Sequence, residues 1–114
     1  MQRRCFCFVE DTARGTILAA ETPGAVGEII NIGNDEEVSI RDLAQMVQDL
    51  VRPGEPPNWE VSSHDAVMGK GYEEVQRRIP DLAKAERILG FRPQMALREG
   101  LERTVQWRVA EKGT

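Results

Sequence analysis

Cys5-Phe6-Cys7-Phe8-Val9-Glu10-Asp11 and, further on, Glu28-Ile29-Ile30-Asn31-Ile32-Gly33-Asn34 are the two stretches on which the fold turns. From Cys5 to Val9 large apolar side chains occupy both faces, the pattern of a strand covered on both sides. Asp11 reads as a helix N-cap, and Ala13, Ile17 and Ala20 then recur at helical spacing with Leu18 beside them, until Pro23-Gly24 ends the run. Glu28 to Ile32, closed by Gly33-Asn34, reads as a second strand. Strand, helix, strand predicts a right-handed crossover joining two parallel strands.

Working outward, Ser39 with Asp42 three residues on approximates a capping box, and Ile40, Leu43, Ala44, Val47, Leu50 and Val51 follow on one helical face. Arg52-Pro53-Gly54-Glu55-Pro56-Pro57 stops that helix, and Trp59 to Ser63 fits a short edge strand. His64 to Gln76 sustains no period and carries glycines at 69 and 71, which reads as a ligand loop. Two more helices are predicted, Asp81 to Leu89 closed by Gly90, and Leu97 to Ala110, where Leu97, Leu101, Val105 and Val109 lie four apart. Residues 1–114 are thus expected to form a single small α/β domain, with a few parallel strands and flanking helices.

The length allows a modest core, and 40% hydrophobic with 30% charged residues is the composition of an ordinary globular protein. A net charge of -4 argues against bulk nucleic-acid binding, which draws its affinity from clustered Lys and Arg. No apolar run approaches the ~20 residues that span a bilayer, and Met1-Gln2-Arg3-Arg4 does not lead into a signal peptide's apolar core, so a cytoplasmic protein with no membrane partner is expected. Cys5 and Cys7, spaced C-x-C on one expected strand, point the same way and do not readily join each other. With His64 the only other soft donor outside the methionines, no metal site is expected.

The richest chemistry lies in Gly69-Lys70-Gly71-Tyr72-Glu73-Glu74-Val75-Gln76-Arg77-Arg78-Ile79-Pro80-Asp81. It delivers one aromatic and two guanidinium groups from a glycine-hinged loop into a helix start. Arginine's planar fork matches two phosphate oxygens at once and stays charged at any working pH. On spacing alone the same run also fits a solvated charged loop. Asp81 is most simply the cap of the following helix, and His64 an exposed polar side chain. Ser62-Ser63-His64-Asp65 is no hydrolase triad, because consecutive residues cannot reach the mutual geometry of nucleophile, base and orienter.

The run from Gln76 to Ala85, continuing through Leu89-Gly90-Phe91-Arg92-Pro93 to Leu97-Arg98-Glu99-Gly100-Leu101, resembles the carboxy-terminal end of extended short-chain dehydrogenase/reductases acting on nucleotide sugars. Arg4-Cys5-Phe6-Cys7-Phe8-Val9-Glu10-Asp11 is similar to that family's Arg-x-Phe-x-Tyr-Val-x-Asp stretch. Gly27 to Asn34 with Ser39-Ile40 resembles its Asn-hydrophobic-Gly strand and the helix after it. The wording around Tyr72 and Arg78 is most similar to the UDP-glucuronate decarboxylase branch. This resemblance implies that Arg4 touches the nucleotide's diphosphate or ribose, that Tyr72 contacts substrate, and that Arg78 binds the diphosphate and takes part in catalysis. It assigns Arg78 a proton-donating role, although stabilising developing charge is the physically easier one. Arg77 is a further substrate-binding candidate.

The resemblance also implies NAD for the full-length family enzyme. Neither the family's glycine-rich NAD turn nor its Tyr-x-x-x-Lys pair is present here: Tyr72, the sole tyrosine, is followed four positions on by Gln76. Two functions follow as expectations. One is the nucleotide-sugar-binding portion of an NAD-dependent epimerase, dehydratase or decarboxylase, taking a UDP-sugar or another nucleotide-sugar, catalytically incomplete and lacking its Rossmann half. The other is a non-enzymatic remnant serving as an assembly or regulatory partner. Strands deprived of neighbours expose apolar faces, so a homo-oligomer is expected in either case.

Overall fold

The computed structural model describes residues 2–60, 62 and 77–112. Strand β1 (Arg3–Cys5) leads through an irregular connector to helix α1 (Val9–Glu21) and one 3-10 turn (Pro23–Ala25). Strand β2 (Glu37–Ser39) runs directly into helix α2 (Ile40–Val51), and α3 (Ala83–Leu89) and α4 (Leu97–Lys112) follow. The α/β class holds, with a two-stranded sheet and four α-helices among the described residues.

The strand pairing departs from expectation. β1 pairs with β2 antiparallel, Arg3 opposite Ser39, Arg4 opposite Val38 and Cys5 opposite Glu37. No parallel pair exists among the described residues. Phe6-Cys7-Phe8 is apolar on both faces for another reason: it is a connector lying on α4, so close that a Cβ on Gly100 would stand 3.2 Å from Phe8 Cδ1. Glu28 to Ile32 has the composition of a strand but no ladder partner among the described residues. Its Ile30 and Ile32 pack on the core while Ile29 is 87% exposed. Neither Trp59 nor Glu60 belongs to a strand, and Val61 and Ser63 lie outside the described residues.

Capping follows the sequence more closely. Ser39 Oγ accepts from the Asp42 amide at 3.0 Å, closing the N-terminus of α2 as its spacing predicts. Gly90, at φ 66°, ends α3 in the left-handed region where glycine carries no Cβ penalty. Asp81 is not the N-cap expected of it: Leu82 occupies that position, and Asp81, one residue earlier, accepts from the Ala83 amide at 3.0 Å. Asp11, however, does not cap α1. Phe8 occupies that position, and Asp11 sits inside the first turn, 4% exposed. Its Oδ2 accepts from the amides of Gln94 (3.1 Å) and Met95 (2.9 Å), while Oδ1 accepts from Arg14 Nη2 at 3.2 Å. A carboxylate already in the α1 macrodipole's favourable end thus ties α1 to a segment more than eighty residues away.

The central cluster is Ala85, Leu89 and Phe91, packed by Leu18, Ala19, Ile30, Ile32 and Ile88. Phe91 is wholly buried, and the Arg14 guanidinium lies 4.8 Å from its ring centroid while donating to the Arg92 carbonyl at 2.6 Å. α1 reaches this cluster because Gly15 has no side chain: a Cβ there would come within 2.6 Å of Ile32 Cγ2 and 3.0 Å of Phe91 Cε1.

Two outcomes follow. Gly15→Ala gains roughly 1 kcal/mol of helix propensity, but the overpacking cost of ~1–3 kcal/mol at a stiff β-branched neighbour outweighs it. Chemical denaturation is therefore expected to show a net loss, and a more stable Ala variant would contradict this packing. Burial pushes the Asp11 carboxyl up, but the Met95 and Gln94 amides and Arg14 outweigh it and hold it below the usual carboxylate value. A depressed folded-state pKa contributes stability above the unfolded carboxylate value and loses it as pH falls through the folded one. Unfolding free energy should accordingly decline below about pH 4. Asp11→Asn should remove ~1–3 kcal/mol at neutral pH and flatten that acid limb.

Candidate functional site

Arg4 on β1 and Arg77, Arg78, Ile79 and Pro80 ahead of α3 line one open cleft of about 600 Å³, with Cys5 and Asn31 completing it. The two ends of this wall are more than seventy residues apart in sequence. They meet because β1 is held in the β1–β2 ribbon and the 77–80 segment is fastened to the same ribbon. The fastening is Glu37 on β2. Arg3 Nε donates to its Oε1 at 2.8 Å; Arg77 Nε donates to Oε2 at 2.8 Å and Arg77 Nη2 to Oε1 at 3.3 Å. Antiparallel pairing puts Arg3 and Glu37 diagonally on one face, which is why the first contact forms. On the other side, Asn31 Nδ2 donates to the Asp81 carbonyl at 3.4 Å.

The arginines are not equivalent. Arg77 spends its fork on Glu37, whose carboxyl is held below its ordinary value by the hydrogen bond from Arg77 first, and by Arg3. The Arg77 guanidinium is in turn pushed up by the same contact. Arg4 Nη1 donates to the Arg3 carbonyl at 2.7 Å. Arg78 is exposed at the cleft and makes no hydrogen bond or ion pair with any described residue. The Cys5 thiol is pushed up by burial, then by Glu37 and Asp35, so it stays protonated at neutral pH and is a poor nucleophile. Both cysteines are free thiols, half-buried rather than fully enclosed in the core. The arrangement offers guanidinium donors on a shallow wall, chemistry suited to an oxyanion such as a diphosphate.

Of the residues singled out by sequence, Arg4, Arg77 and Arg78 come together here. Tyr72, His64 and the expected ligand loop lie outside the described residues. Asn31 and Glu37 escaped sequence reasoning. Asn31 was visible only inside a strand-like run, and Glu37 sits in Asp35-Glu36-Glu37, which reads as a solvated acidic turn. Among the described residues no group of three or more His, Cys, Asp or Glu is placed to hold a metal, and no helix is long and apolar enough to cross a membrane.

No protein-family model matches the chain. It is 36% identical over 110 residues to a UDP-N-acetyl-alpha-D-glucosaminuronate decarboxylase of Bacillus cytotoxicus, an alignment covering 93% of this chain and 32% of that protein. Among solved structures it superposes on the Bordetella bronchiseptica enzyme WbmF in complex with NAD+ and UDP, with a TM-score of 0.73, 29% identity, and coverage of 96% of this chain and 30% of that one. The Bacillus cereus UDP-glucuronic acid 4-epimerase in complex with NAD gives a TM-score of 0.72 at 30% identity, covering 99% and 32%. The chain belongs to the extended short-chain dehydrogenase/reductase family of nucleotide-sugar enzymes. It matches the carboxy-terminal part of these family members and spans about a third of the length of the relatives named here.

NAD is bound by family members named here, and the described residues do not fit it. The two strand-to-helix junctions are Phe6-Cys7-Phe8 and the direct step from Ser39 to Ile40. Neither holds the glycines that let a backbone approach a dinucleotide pyrophosphate.

Proposed function

We propose that this chain is the nucleotide-sugar-binding portion of an NAD-dependent epimerase, dehydratase or decarboxylase, with UDP-sugars as its ligand class and the cofactor held elsewhere. The observation that carries the reading is the meeting on one cleft of Arg4 and Arg78, more than seventy residues apart in sequence. UDP in the WbmF complex and the UDP-linked substrate in the name of the Bacillus cytotoxicus relative support that ligand class. In this reading Arg78 donates to the diphosphate and stabilises charge developing near it, and Arg4 engages the diphosphate or ribose. Tyr72 joins as a substrate contact by family resemblance.

The second reading, a remnant acting as an assembly partner, starts from the apolar side chains left open at Val26 (85% exposed) and Ile29 (87% exposed). Both readings give that surface a neighbour: the cofactor-binding half in the first, and another copy or a different protein in the second.

A ligand that prefers the folded state must raise its melting midpoint. UDP should raise the midpoint of the chain and NADH should leave it unmoved. Arg78→Ala should weaken UDP binding by ~1.5–3 kcal/mol by calorimetry, the usual worth of a charge-assisted hydrogen bond. No shift with any nucleotide, together with a stable oligomer by light scattering, would overturn the binding reading in favour of the second.

A further inference from the structure

We infer that Glu37 is a positioning residue that withdraws Arg77 from the ligand and thereby fixes Arg78 as the guanidinium facing the cleft; this rests on the nucleotide-binding reading above. Two adjacent arginines on an irregular segment compete for the same anion, and which one wins is set by whatever holds the other. Here the competition is decided by geometry. Arg77 presents Nε and Nη2 to the two oxygens of Glu37, and Arg3 binds Oε1 from the opposite side. Glu37 is the well-covered member, with its side chain 17% exposed, against 65% for Arg77 and 42% for Arg3. The anchor is therefore the carboxylate on the ribbon, and the exposed arginine is the element being held.

The consequence for Arg78 is mechanical. Pinning residue 77 to β2 fixes the backbone immediately before residue 78, while Asn31 and the Asp81 carbonyl fix it three residues after. Between these two ties Arg78 has no ion partner of its own among the described residues. A guanidinium held at both backbone flanks loses less freedom on gripping a phosphate than one on a free arm. Glu37 also neutralises much of the charge of Arg77, so a single arginine of the pair carries the attraction.

Phenylglyoxal, which modifies accessible guanidinium groups, tests this when the sites are located by tandem mass spectrometry. In the full chain Arg77 should react several-fold more slowly than Arg78, and UDP should slow Arg78 while leaving Arg77 unchanged. Glu37→Gln should raise the Arg77 rate to that of Arg78 and weaken UDP binding about tenfold, with Glu37→Asp restoring part of both. Arg77→Gln, a change at an exposed side chain, should weaken UDP binding equally, and the double variant should be no worse than either single one. Equal reactivity of the two arginines in the unmodified sequence would overturn the inference. So would Glu37→Gln and Arg77→Gln proteins that fold and bind UDP as tightly as before. Failure of UDP to bind the parent chain overturns the binding reading instead, and the Arg77-to-Arg78 rate ratio then still decides whether Glu37 holds Arg77.

Discussion

The Asp11 carboxylate holds the two halves of this structure to one another. On one side lies the cluster of Phe91, Leu89 and Ala85 beneath α1; on the other lie α4 and the ribbon–α2 unit packed beside it. Asp11 joins them by accepting from the Gln94 and Met95 amides, which would otherwise be exposed donors just ahead of α4. Glu36 repeats the device at 2.9 Å on the Leu97 amide, and Asn34, 6% exposed, donates to the Met95 carbonyl at 3.3 Å. A helix start is an anion site in any protein. Here side chains from the chain's own distant segments fill it, and the burial of Asp11 is tolerated because each of its oxygens is bonded.

This arrangement constrains the cleft. Asn34 and Glu36 fix the segment leading into β2, so Glu37 arrives on the ribbon at a set height, and the register with β1 follows. Arg3 and Arg77 then converge on it. The Arg4 and Arg78 wall is the outer consequence of an inner network of carboxylates and amides whose partners lie far apart in sequence.

That distance in sequence explains what could be read beforehand. The α2 cap by Ser39, the Gly90 terminus of α3 and the span of α4 were legible because each depends on residues within one or two turns. The pairing partner of β1 was not. Nothing in Cys5 to Val9 distinguishes a two-faced strand from a connector lying on α4, since burial on both sides leaves the same apolar pattern. Asp11 looked like a cap because caps and first-turn acids have the same composition; only its amide partners, more than eighty residues away, separate the two roles. Of the candidate site, the arginines were legible as types suited to phosphate. Glu37 was not, because an acid in an acidic turn carries no local sign of what it will bind.

The openness of the cleft bears on how strongly such arginines can act. Two unit charges 4 Å apart attract by about 1 kcal/mol in bulk water and about 4 kcal/mol at the effective dielectric near a protein surface. A wall made of Arg4 and Arg78 alone stands nearer the first limit, because water reaches it freely. Covering it would move the same side chains toward the second limit without any change in their contacts. The strand-like segment ending at Ile32 runs beside this wall, with Asn31 on the cleft and Ile29 bare two residues earlier. On the nucleotide-binding reading, the affinity of this wall for a diphosphate therefore depends on how much water reaches it as well as on which side chains line it.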